Sequence, residues 1–228
     1  MGEKETSRLE AFSDGVFAVA ITLLILNIGL PEALLRNLPG DKDLWQALGS
    51  EWPAFAAYTV SFLNIGIMWL NHHRLFVHIK RVNTALIFIN LMLLITIVFL
   101  PFPTSLLADY ILSPNDHAAA VFYSGICLLM ACCFDGLWLY ASYHNRLLGK
   151  NGDTTAIKAI SRQYLLGPLF YLLVFGVAWI NTILCVVLTF ALALFFALPS
   201  RAASSLVAMK IPANIVNREN EQIEEQEL

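Results

Sequence analysis

Apolar residues recur along this chain in long runs, separated by short polar stretches. The runs are roughly Phe12–Leu30, Trp52–Phe76, Ala85–Leu107, Ala118–Tyr143, Tyr164–Ile180 and Thr182–Leu198. A helix needs about 20 mostly apolar residues to cross the hydrocarbon core of a bilayer. The pattern therefore predicts an all-α, integral membrane bundle of six transmembrane helices. Asn181 is the strong polar break between the last two runs, so their turn is expected to be tight. The stretch Pro31–Ser50, with Pro31, Pro39, Gly40 and Gly49, reads as an exposed connection with a short helix at Glu32–Asn37. Pro101 and Pro103 predict a kink in the third span, whose freed carbonyls need partners such as Thr104 or Ser105.

Composition agrees with a membrane protein. Of 228 residues, 58% are hydrophobic and only 14% charged, against about 25% charged in soluble domains. The location of the charges matters more than their sum. Arg74, Lys80 and Arg81 follow the second span, and Arg146, Lys150, Lys158 and Arg162 follow the fourth. Arg201, Lys210 and Arg218 follow the sixth, whereas Asp109 and Asp116 follow the third. By the positive-inside rule both termini are cytoplasmic. The first six residues are too acidic for a secretory signal peptide. Two parts are expected: a membrane domain over 1–200 and a polar, acidic cytoplasmic tail over 201–228. The protein belongs in the plasma membrane as a multi-pass protein.

Candidate chemistry is concentrated at the first span. Arg8 and Asp14 stand at the mouth of a nearly charge-free helix, an expensive place for charges. Within that helix Gly15, Val19, Thr22, Leu26 and Leu30 fall in one stripe at steps of three or four, with Leu23 at its border. Spacing alone is equally satisfied by a helix-packing face on which Thr22 bonds back to its own turn. His72 and His73, at the cytoplasmic end of the second span, lie at the depth of Asp14. A bond from one of them to Asp14 or Ser13 is expected. Asp135, within the fourth span, is either a functional acid or a hydrogen-bonded link between helices.

The remaining motifs mostly exclude functions. Cys127, Cys132, Cys133 and Cys185 all lie in apolar stretches without zinc-ligand spacing and read as reduced packing residues. His78, His117 and His144 are scattered, so no metal site is expected. There is no Thr-Val-Gly-Tyr-Gly filter and no Gly-x-x-x-x-Gly-Lys-Ser/Thr loop. Hydrolase motifs are missing and no patch suits nucleic acid, so an enzyme is not expected.

Three segments carry a resemblance. Arg8-x-x-x-Phe12-Ser13-Asp14, Trp69-Leu-Asn-His72-His73-Arg74-Leu-Phe76 and Phe99-Leu-Pro-Phe-Pro-Thr104 occur in that order. They resemble the transmembrane protein 175 family of endosomal and lysosomal potassium channels, in its single-repeat bacterial form. The resemblance implies a homotetramer, with four copies of the first helix around a central pore. It implies passive, potassium-preferring conduction without a cofactor, potassium being the permeant species. An apolar constriction replaces a carbonyl filter. Val19, Thr22, Leu23, Leu26 and Leu30 would line the pore, Thr22 as a hydroxyl layer. Arg8, Phe12, Ser13 and Asp14, with His72, would form a supporting structural network. The alternative is a proton-coupled secondary transporter. Its relay would be Asp14, His72 and Asp135, and its hinge Pro101 and Pro103.

Overall fold

The structure, a computed structural model, describes residues 3–28, 41–113, 116–149 and 154–197. Among these residues the secondary structure is helical, with no named strand. Helix α1 is Glu3–Leu23, and it tightens into a 3-10 turn at Leu24–Asn27. Then come α2 (Asp41–Ser50), α3 (Trp52–His78), α4 (Thr84–Phe99) and α5 (Pro101–Tyr110). The chain continues with α6 (Asp116–Ser142), α7 (Thr154–Ala178) and α8 (Thr182–Ala197). Among the described residues, five stretches are long and apolar enough to cross a membrane: Glu5–Leu26, Trp52–His78, Thr84–Tyr110, Asp116–Asn145 and Ile160–Ala178. Helix α8 is apolar but shorter, at 16 residues.

Local chemistry sets the helix boundaries. Asn83 opens α4 by accepting from the Leu86 amide (2.9 Å), and its own amide donates to the Tyr140 hydroxyl (2.9 Å). Asn181 opens α8 in the same way, accepting from the Leu184 amide (2.8 Å). Each side chain satisfies a first-turn amide that has no partner within its helix. The polar break at Asn181 is thus a cap, and it makes the α7–α8 turn short. Pro101 and Pro103 lack the amide hydrogens that would continue α4, so α4 and α5 form one kinked span. Thr104 Oγ1 donates to the Leu100 carbonyl (2.8 Å) at that kink.

The connection after the first span corrects the loop expected over 31–50. Residues 41–50 are helical. Leu44, Ala47 and Leu48 share one face of that helix. The short helix expected at 32–37 and the tail over 201–228 lie outside the described residues.

Helix α6 runs through the middle of the bundle, packing on α4, α5, α7 and α8. Its Tyr123, Cys127, Met130, Leu137 and Trp138 are fully enclosed. Lipid tails are as apolar as leucine, so packing and polar bonds hold such helices together. Ser61 of α3 bonds both Thr104 (2.8 Å) and Tyr123 (3.0 Å). Asn64, one turn on, donates to Cys127 Sγ (3.4 Å) and accepts from the Tyr171 hydroxyl (3.0 Å). Four helices meet at these two residues. At the positively charged end, the segment after α3 is joined to the segment after α6 by a bridge between Ile79 and Leu148. The Lys80 and Arg81 amides both donate to the Leu147 carbonyl (2.9 and 3.2 Å).

Candidate ion pathway

Helix α1 lies at the edge of the bundle, packed on α3 and α4. Thr6, Leu9, Ser13, Phe17, Ala20 and Leu24 are buried, at steps of three or four. They form the face that grips the bundle. On the opposite face Arg8, Gly15, Val19, Thr22 and Leu26 are exposed. Val19 is 55% and Leu26 75% exposed, while Leu23 at the border is 37%. The stripe picked out by spacing is therefore the middle of the uncovered face, not the contact with the bundle. Leu30 lies outside the described residues. Thr22 Oγ1 donates to the Val19 carbonyl (2.8 Å). Its only hydrogen is spent on its own turn, so the exposed oxygen is left to act as an acceptor.

The C-terminal end of α3 sets the rotation of α1. Ser13 Oγ donates to the Leu9 carbonyl (2.9 Å) and accepts from Asn90 Nδ2 (2.9 Å). Asn90 Oδ1 faces His72 Nε2 at 2.9 Å. The direction is forced: an amide oxygen only accepts, so Nε2 carries the imidazole hydrogen. All three side chains are buried. The His72 ring sits between Phe17 (5.3 Å between centroids) and Phe76 (4.5 Å), and its Nδ1 has no hydrogen-bond partner among the described residues. One turn away, Trp69 Nε1 donates to Asp14 Oδ1 (2.8 Å). His73 Nδ1 and Glu10 Oε1 are 2.8 Å apart.

The expected bond from a histidine to Asp14 or Ser13 thus takes another form. His72 reaches Ser13 through Asn90, His73 goes to Glu10, and Asp14 is held by Trp69. Asn90 and Glu10 were not legible as members of the set. Asn90 is one polar residue in an apolar helix, and that was the available signal. Arg8 and Phe12 do not join these bonds. They are exposed and line a groove of ≈ 420 Å³ beside the start of α4, with Glu5, Asn83, Thr84 and Ile87. No ion pair links Arg8 to Asp14 among the described residues.

Asp135 is buried in α6, and its Oδ1 has no hydrogen-bond partner among the described residues. No hydrogen bond among the described residues connects it with Asp14 or His72. No group of three His, Cys, Asp or Glu side chains able to hold a metal occurs among the described residues.

Residues 8–101 match the family model of the endosomal/lysosomal potassium channel TMEM175. The matched stretch begins at Arg8 and runs through the α3 segment that grips α1 to the Pro101 kink. A Chamaesiphon minutus protein named as a potassium channel is 44% identical over 200 residues, covering 88% of this chain and 97% of that protein. The chain belongs to the TMEM175 family. A second relative, from Streptomyces collinus and also named as a potassium channel, is 42% identical over 207 residues. That match covers 88% of this chain and 98% of the relative. The fold is similar to the crystal structure of a lysosomal potassium-selective channel TMEM175 homologue from Chamaesiphon minutus. The TM-score is 0.77 at 40% identity, covering 87% of this chain and 99% of that one. This TMEM175 member is thus of single-repeat length, and its family is one of channels rather than enzymes.

Proposed function

We propose that this protein is a potassium-selective channel of the cell membrane, conducting passively through a central pore lined by α1 of four subunits. The observation that carries the reading is the uncovered face of α1. At the edge of its bundle, α1 leaves Gly15, Val19, Thr22 and Leu26 outward along one line, while bonded residues on α3 and α4 hold the helix in place. Relatives at 44% and 42% identity bear the name potassium channel.

Around a four-fold axis, Val19, Leu23 and Leu26 stack as apolar rings, and Thr22 as a ring of four hydroxyl oxygens. Rings of branched aliphatics close a pore by dewetting. The hydroxyl ring has no net charge, so it binds a partly dehydrated cation weakly and selects modestly. Six spans with both termini cytoplasmic suit the charge distribution. Helix α8 rises about 24 Å against a core of about 30 Å, a mismatch that local thinning and flanking residues absorb.

Purified protein in planar bilayers is expected to carry potassium current with no source of chemical energy. Thr22→Ala is expected to lower the potassium-to-sodium permeability ratio, and Leu26→Ser to raise conductance by hydrating the constriction. If both variants match the parent in ratio and conductance, the assignment of α1 to the pore is wrong.

A further inference from the structure

Helix α1 has two unlike flanks beside its exposed line. On one, shared with α4, lies the groove that holds Arg8, together with Phe12, Asn83, Thr84 and Ile87. Phe12 and Ile87 are exposed there. On the other, shared with α3, Glu10, His73, Val77 and Lys80 line a second groove of ≈ 350 Å³, with Ser7. Trp69 and Val77 are exposed on that side. Both grooves lie at the cytoplasmic end of α1.

We propose that the two grooves meet between neighbouring copies of this chain, Arg8 of one copy pairing with Glu10 of the next. The proposal rests on the reading of α1 as the helix around the pore axis. In a closed ring of that kind each copy presents its α4-side flank to the next copy's α3-side flank, a head-to-tail contact. Rotation about an axis normal to the membrane keeps equal residues at equal depth. Glu10 lies two residues from Arg8, about 3 Å in rise, whereas Asp14 lies six residues away, about 9 Å. Depth therefore selects Glu10 as the acid that Arg8 reaches.

The chemistry is complementary. Arg8 has no ion pair among the described residues, although Glu5 lies one turn earlier in the same groove. Glu10 engages His73 through Oε1, which leaves its second oxygen for another donor. Lys80 shares the Glu10 groove but is exposed, so its ammonium stays in water. The apolar parts match as well: Phe12 and Ile87 face Trp69 and Val77. The pairing also has a consequence for conduction. Arg8 falls on the exposed line, so four unpaired guanidinium groups would form a positive ring at the mouth of a cation path. Glu10 of the neighbour neutralises that ring.

The test is a cross-link between differently tagged chains in a Cys132→Ser, Cys133→Ser background. One chain carries Arg8→Cys and the other Glu10→Cys. They are co-expressed and treated in native membranes with a short thiol-specific cross-linker. A covalent dimer bearing both tags is expected, with no product from either chain expressed alone. A second pair, Thr84→Cys with Val77→Cys, probes the same contact without touching the charges. If neither pair gives a mixed dimer while light scattering of the purified protein reports four-copy assemblies, the flank pairing is overturned and the pore reading stands. If the purified protein is monomeric, the pore reading falls and this pairing with it.

Discussion

Asn90→Leu is the substitution that most directly tests how α1 is held. Leucine keeps the branched heavy-atom skeleton of asparagine and is larger, so no cavity is created. It deletes two interhelical bonds, to His72 and to Ser13, each 2.9 Å long. Interhelical hydrogen bonds in membrane proteins average about 0.6 kcal/mol, so the two bonds alone give about 1.2 kcal/mol. Ser13 keeps its bond to the Leu9 carbonyl. His72 fares worse, because Nδ1 already has no partner among the described residues and Nε2–H would lose its acceptor. A buried donor left unsatisfied costs about 1–3 kcal/mol. The unfolded chain in lipid finds some partners, which trims the upper end. The expected loss is about 2 kcal/mol, roughly thirtyfold in the unfolding equilibrium at about 1.4 kcal/mol per tenfold. Steric trapping in bicelles measures it, with Ile95→Ala on the exposed side of the same helix as the reference. A double-mutant cycle with Ser13→Ala is expected to return a coupling near 0.6 kcal/mol. A loss below about 0.5 kcal/mol for Asn90→Leu would show that these bonds do not hold α1.

Three further outcomes are expected. At Gly125→Ala the added Cβ stands 3.3 Å from Phe175 Cε2, so the ring yields a few tenths of an ångström at small cost; Gly125→Leu overpacks α6 against α7 and loses about 1–3 kcal/mol in the same assay. His144 has φ 51°, and relief of a left-handed non-glycine residue predicts that His144→Gly gains about 0.5–1 kcal/mol, read as a higher melting temperature in detergent. Arg74 and Asn71 bond the last carbonyls of α8, at Ala197 (3.3 Å) and Phe196 (3.1 Å), so Arg74→Ala is expected to speed hydrogen exchange in the last turn of α8 about tenfold while leaving α6 unchanged.

Much of the membrane architecture follows from the chain itself. Run lengths placed the apolar helices because a bilayer demands about 20 apolar residues whatever the partners are. Asn181 and Pro101 marked their breaks because caps and proline act within a single turn. Helix α2 escaped this reading, since ten mixed residues that follow Gly40 and include Gly49 carry a weak periodic signal. Helical spacing also identified the line Gly15, Val19, Thr22 and Leu26, but periodicity has no sign: it groups residues on one face without saying whether that face is covered. Only the tertiary structure decided that α3 and α4 cover the side bearing Ser13 and Phe17, leaving the line uncovered. It alone brought Asn90 between His72 and Ser13, and Trp69 to Asp14, residues 18 to 77 positions apart in the chain. Those pairings depend on where three helices meet, and no local spacing encodes that distance.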